Sequence, residues 1–155
     1  MDIILDTNAF GRIFAERAAE QFVEKVVREC DVVHVLKDIW KELRGAYPNL
    51  LREYIRKLER GKLREKKVEK RWRMPEDIED KLRSCGADQF DVNLVKLAFE
   101  ISRSRGCEAR CRVYLVSNDR CIWGVKGLLE NYGIHALKLD DFWREYLGEE
   151  LLKIG

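Results

Sequence analysis

The chain has 155 residues, 46% of them hydrophobic and 37% charged, and a net charge of only +2. That length suits one domain with a full core and is too short for two. No stretch approaches the roughly 18 uninterrupted apolar residues of a membrane span, and the acidic, turn-like start is unlike a secretory signal, so a cytoplasmic location is expected.

Lys/Arg and Asp/Glu are nearly balanced, Gln is sparse and Thr occurs once, a composition like the ion-pair-rich one of hyperthermophiles. The charge is unevenly spread. From Arg52 to Arg73 there are eleven Lys/Arg against four Glu, so this segment carries +7 and the remainder −5. A basic insertion or arm of this kind, at about 52–73, can neutralise phosphates by counterion release. Tyr54 and Trp72 among its cations suit stacking on unpaired bases. Its candidate nucleic-acid contacts are Arg56, Lys57, Arg60, Lys62, Arg64, Lys66, Lys67, Lys70, Arg71, Trp72 and Arg73. The plainer reading is a solvated helix face laced with Glu–Lys pairs.

In chain order, Asp2 to Asp6 reads as a short apolar strand ending in a polar turn at Thr7 and Asn8. Helical spacing follows from Ala9 to Glu29, with Phe10, Ile13, Phe14, Ala18, Phe22 and Val26 as its apolar stripe and a break near Arg17. Asp31 to Leu36 is a second strand. A helix from Lys37 carries Ile39, Trp40 and Leu43, stops near Gly45, and restarts after Pro48 towards Arg60. Gly61 to Arg73 fits neither helical nor strand period and reads as an arm, a hairpin or a helix. Pro75 then opens a short helix whose first turn holds Glu76, Asp77 and Glu79, acids that suit the positive end of a helix dipole; Gly86 ends it.

A long helix is predicted from about Ala87 to Arg103, a buried strand from Arg112 to Val116, and a turn at Ser117 and Asn118. Helix from Cys121 to Asn131, a strand from Ile134 to Leu139 and a closing helix from Asp140 to Leu152 complete the chain. Strands alternating with helices imply an α/β fold, a parallel sheet covered on both faces. Ligands of such sheets collect beyond the carboxyl ends of the strands, where Asp6 and Asp119 are placed.

Cys30, Cys85, Cys107, Cys111 and Cys121 are five in number and lack the paired C-x-x-C of a zinc ribbon. They read as small buried hydrophobes, or as a loop disulfide of the kind some hyperthermophiles make inside the cell, with Cys107 and Cys111 the only close pair. His34 and His135 fall in strand-like apolar runs and suit core or edge positions. Trp40, Trp123 and Trp143 read as core, and Trp72 as the exception, set among cations.

Four acids, Asp6, Glu42, Asp91 and Asp119, each sit where a short apolar run meets a turn or helix. Singly, each has an innocent reading: Asp6 and Asp119 as helix caps, Asp91 as a surface residue, Glu42 as a partner of Lys41 or Arg44. Together, carboxylates converging in one cleft repel one another unless protons or a cation compensate. Oxygen-only ligands suit a hard ion such as Mg²⁺ or Mn²⁺.

In order and spacing, the segments IILDTNAF (residues 3–10), IWKEL (39–43), DVNLVKLA (91–98) and LVSND (115–119) resemble the four acidic motifs of PIN-domain nucleases. The likeness covers almost the whole chain and is sharpest at Leu5 to Asn8 and Val116 to Asp119. Asp91 precedes the small residue Ala98 by seven positions, as the third acid of the family does, and Glu42 is the weakest match. The resemblance implies a three-layer α/β/α sandwich and a Mg²⁺- or Mn²⁺-dependent endoribonuclease, either the toxin of a toxin–antitoxin pair or an RNA-processing enzyme.

Asp6, Asp91, Asp119 and Glu42 would then be catalytic residues and metal ligands, with Thr7, Asn8, Ser117 and Asn118 supporting them and Asp88 as a spare acid. Single-stranded RNA, an antitoxin protein and a second copy of the chain are the implied partners. Many relatives carry a further acid two positions after the fourth, where this chain has Cys121. Two other readings compete: a silent PIN-like binding or scaffold protein, and a phosphotransferase of the haloacid dehalogenase kind using Asp6, Asp140 and Asp141. The latter lacks its second Asp, which is Asn8 here.

Overall fold

The computed structural model describes residues 1–15, 18–39, 41, 52–59, 61–104 and 112–148. Among them, five parallel strands form one sheet: β1 (Asp2–Leu5), β2 (Val32–Leu36), β3 (Leu63–Lys66), β4 (Val113–Val116) and β5 (Ile134–Leu137). Their spatial order is β3-β2-β1-β4-β5. β1, β2 and β4 are buried along their whole length, as expected for strands of a parallel sheet covered on both faces.

The helices are α1 (Thr7–Ala15), α2 (Ala19–Arg28), α3 (Arg52–Glu59), α4 (Glu76–Cys85), α5 (Gln89–Ser104), α6 (Arg120–Gly124), α7 (Lys126–Glu130) and α8 (Leu139–Leu147). Parallel strands need crossovers, and right-handed ones place α1, α2 and α3 on one face and α4 to α7 on the other. α5 lies against β1, β4 and β5, and α4 contacts both α5 and α6. On the first face, Phe22 of α2 meets Phe142, Trp143 and Tyr146 of α8 in an aromatic cluster. Each large side chain fully buried there contributes about 1.5–3 kcal/mol. The result is a three-layer α/β/α sandwich.

Several local expectations are corrected. The 61–73 segment is neither arm, hairpin nor helix: Leu63–Lys66 pairs in parallel with β2 as the edge strand. Its sequence LREK hides the strand because a solvent-facing edge is protected by charge rather than built from apolar alternation. Trp72, expected among exposed cations, is 2% exposed and belongs to the core, so its ring offers no free face to a base. The described closing helix ends at Leu147, where Gly148 takes a left-handed backbone (φ 71°), and the expected end at Leu152 lies outside the described residues.

The helix expected over Cys121 to Asn131 is two short ones joined at Val125. Cys30 is exposed rather than a buried hydrophobe, and Cys85 and Cys121 form a disulfide. Trp123 is only partly buried: its indole N–H donates to the Ser117 carbonyl, and the Lys138 ammonium sits 3.9 Å from the ring centre. Glu42, Trp40, Arg60, Cys107 and Cys111 lie outside the described residues. No helix among the described residues is long and apolar enough to cross a membrane.

Candidate functional site

β1 has β2 on one side and β4 on the other, and the chain reverses its direction of travel across the sheet between them. Such a reversal opens a crevice at the carboxyl ends of the two central strands. Asp6 follows β1 directly, and Ser117, Asn118 and Asp119 follow β4. Side chains alternate along a strand, so Asp6 shares a face with Ile4 and Asp2, and Asp2 reaches the His34 ring at 2.8 Å on that face.

Asp6 is 9% exposed. Its Oδ1 accepts the Ala9 N–H at 2.7 Å, which caps α1, and its Oδ2 accepts the Asn118 N–H at 3.4 Å. Burial raises its pKa above the ordinary carboxylate value; the Ala9 N–H, Ser117 hydroxyl and Asn118 N–H oppose that, and the Asp119 charge adds to it. Asp119 caps α6, its Oδ1 accepting from the N–H groups of Cys121 (2.8 Å) and Ile122 (3.1 Å). Asp88 caps α5 by accepting the Asp91 N–H at 2.9 Å.

Three of these acids are therefore helix N-caps, as the innocent reading of Asp6 and Asp119 had it, and the positive ends of three helices offset their charge. Asp91 is different. It stands in the first turn of α5 and hydrogen-bonds the carboxyl groups of both Asp119 and Asp88. Burial, then the Asp119 charge, then the contacts with Asp88 push its pKa up to about 7. Near neutrality Asp91 therefore still holds a proton in part, with the Asp88 and Asp119 carboxyl groups beside it.

The structure thus brings Asp6, Asp88, Asp91 and Asp119 into one run of neighbours, with Asp119 next to both Asp6 and Asp91. The contacts are pairwise: among the described residues no three His, Cys, Asp or Glu side chains are gathered into a ready metal cage. The all-oxygen donor set nevertheless suits a hard cation, which would take the place of the Asp91 proton.

Of the supporting residues, Ser117 acts through its side chain, donating to Asp6 and accepting the Asp119 N–H at 3.1 Å. Asn118 acts through its backbone N–H. Thr7 and Asn8 open α1 beside Asp6, with Asn8 exposed. Ser117→Ala leaves Asp6 short of a donor and is expected to cost about 1–2 kcal/mol and to raise the Asp6 pKa further; chemical denaturation across the pH range above the ordinary carboxylate value checks this. Asp140 and Asp141, which a dehalogenase-like site would need beside Asp6, instead pair with Arg12 and Arg144.

The basic segment folds into α3, β3 and the loop after it. Ile4, His34 and Arg64 are in register across β1, β2 and β3, which sets Lys66 level with Asp6 two strands away, about 10 Å in backbone terms. Lys66 and Lys67 therefore leave the sheet at the end where the acids gather. Arg56, Lys57, Arg64, Lys67, Lys70, Arg71 and Arg73 are exposed, and Lys62 and Lys66 partly so. Arg71 is already paired with Glu69 and Glu100, beside an open cavity of about 490 Å³ between β2, β3 and α5.

The Cys85–Cys121 bridge had no local signal in the sequence, the two residues being 36 apart. Ser117 and the capping role of Asp88 were legible only as polar residues near the acids. No protein-family profile and no characterised sequence matches the chain at significant similarity.

Proposed function

We propose that the chain is a metal-dependent endoribonuclease of the PIN-domain kind, cutting single-stranded RNA at the carboxyl ends of β1 and β4. The observation that carries this reading is the run of carboxyl groups at the sheet's switch point, where Asp119 neighbours both Asp6 and Asp91 and Asp88 caps the helix that carries Asp91. Gathering like charges is costly, the more so around the buried Asp6, and titratable groups so perturbed are characteristic of functional sites.

Asp6, Asp91 and Asp119 would hold a Mg²⁺ or Mn²⁺ ion, with Asp88 at its flank. When bound, such an ion stabilises the charge that develops on phosphate oxygens and activates water as the nucleophile. The chain's own residues do the rest. The helix N-termini orient Asp6, Asp88 and Asp119, each through the oxygen that caps its helix. Ser117 fixes Asp6 relative to Asp119. Lys66, Lys67 and Arg64 hold the phosphates of the strand on the β3 side. An antitoxin and a homodimer remain part of the proposal through the family resemblance alone.

The test is cleavage of a single-stranded oligoribonucleotide with Mg²⁺ or Mn²⁺. Asp6→Asn, which keeps the cap because Asn serves as well there, is expected to lower the rate at least ~100-fold, on the scale of losing one preorganised electrostatic group. Cleavage that survives the change contradicts the proposal. A second reading, a silent RNA-binding or scaffold protein, draws support from the capping duties that already occupy Asp6, Asp88 and Asp119. It is indicated by RNA retention on the basic edge with no turnover in either metal.

A further inference from the structure

Cys85 is the last residue of α4, three positions before Asp88, and Cys121 lies two positions after Asp119 in the first turn of α6. The bond between them holds their Cα atoms 5.6 Å apart. One covalent link thus joins the two chain segments that carry Asp88 and Asp91 on one side and Asp119 on the other. It is continuous with the caps, because the Cys121 N–H is one of the two donors to Asp119 Oδ1. On the other side, Gly86 (φ 97°) and Ala87 close α4 by bonding back to Arg83 and Leu82, so Cys85 reaches Asp88 through a tight turn rather than a slack loop.

We propose that the Cys85–Cys121 disulfide is a positioning clamp for the carboxylate cluster, and that its reduction by a dithiol lowers the cluster's affinity for a divalent cation. The proposal rests on the metal-site reading above for its consequence, though not for its geometry. Neighbouring carboxyl groups repel, and between Asp91 and Asp119 that repulsion pushes apart the two chain segments that the disulfide ties together, the end of α4 leading into α5 and the start of α6. With the bond closed, the repulsion is opposed covalently. With it open, only non-covalent packing opposes it, that of α4 on α6 and of α5 on the sheet.

The chemistry is accessible because Cys85 is exposed and Cys121 only partly buried. A thiolate of the dithiol attacks Cys85 Sγ, the S–S bond breaks, and the Cys121 thiolate leaves and takes up a proton. The second thiol of the reductant then displaces the Cys85 thiolate. Two electrons and two protons pass to the protein, and the reductant ends as its own disulfide. Cys85 and Cys121 are positioning residues and touch neither substrate nor ion.

Two measurements on oxidised and dithiol-reduced protein test this at 25 °C, with circular dichroism confirming the fold. In metal-free protein, hydrogen exchange of the Asp91, Cys121 and Ile122 amides is expected to speed up about tenfold on reduction, a change that a loss of stability with the bond intact does not bring. The Mn²⁺ dissociation constant, read from free Mn²⁺ by electron paramagnetic resonance, is expected to weaken about tenfold, the scale of a lost outer-shell support. If the reduced protein unfolds, Cys85→Val with Cys121→Ala, which fills the contact without the bond, takes its place.

Val23→Ala, in α2 on the other face of the sheet, supplies destabilisation without loss of the clamp and is expected to change neither readout. Unchanged exchange at the three amides, or an equal loss of Mn²⁺ affinity in Val23→Ala, overturns the proposal. Faster exchange on reduction in a protein that binds no Mn²⁺ in either state upholds the clamp and overturns the metal-site reading instead.

Discussion

Asp91→Asn is expected to raise the thermal stability of the metal-free protein at pH 8 and to abolish its stabilisation by Mn²⁺. In the folded chain the Asp91 pKa is raised to about 7 from an ordinary 3.8. The stability linked to that proton is therefore fully present below about pH 3.8 and is lost as pH rises through 7. Metal-free protein should weaken over this window. Asparagine offers permanent N–H donors to Asp88 and Asp119 in place of the titrating proton, so the variant should not weaken in the same way. Allowing for solvent screening of a partly exposed group, the gain at pH 8 is on the order of 1–2 kcal/mol.

Mn²⁺ at 100 times its dissociation constant should stabilise the parent by about 2.7 kcal/mol and the variant by little. Thermal melts at pH 5 and pH 8, with and without Mn²⁺, check both halves. A variant that loses stability with pH as the parent does would show that Asp91 is not where the proton resides. Gaining stability while losing the ion is the behaviour of a residue kept for function against the interest of the fold.

Breaking the Cys85–Cys121 bond is expected to have the largest effect on stability of any single covalent change in the described residues. The chain-entropy treatment for a loop of 36 residues gives about 4 kcal/mol. For a protein of this size that is a fall of roughly 8–16 °C in the melting temperature. Scanning calorimetry of the protein with and without reductant, and of Cys85→Ser, measures it. The free thiol of Cys30 is exposed and far along the chain from both, so Cys30→Ser should melt with the parent and serves as the control. Melting that is indifferent to reductant would mean that the bond contributes nothing to the folded state.

What was legible in the sequence follows from how each signal arises. β1, β2, β4 and β5 were readable because a strand buried on both faces must be apolar along its length. β3 was not, because its middle residues Arg64 and Glu65 are exposed and their charges erase the period, whereas β5 at the opposite edge is largely buried. Trp72 misled for a related reason: the cations around it in sequence point outward while the ring turns into the core. Gly86 and Gly148 both end helices with left-handed backbone, yet only the first was read so, since leucines continue the apolar pattern past the second.

At the candidate site, Asp6 and Asp119 were placed at strand ends by pattern alone, where the structure has them. The long-range partners, Cys85 with Cys121 and Ser117 with Asp6, depend on the sheet order β3-β2-β1-β4-β5, which local patterns do not encode.

The central claim is that Asp6, Asp91 and Asp119 share one hard cation. Crystals grown at pH 8 and soaked in Mn²⁺, with anomalous diffraction recorded at the manganese edge, address it most directly. The expected result is a single strong peak beyond the ends of β1 and β4, with oxygens of these three carboxylates at ~2.1 Å from a hard dication. A peak away from all three, or none at millimolar Mn²⁺ in crystals whose Asp91 is ionised, would contradict it.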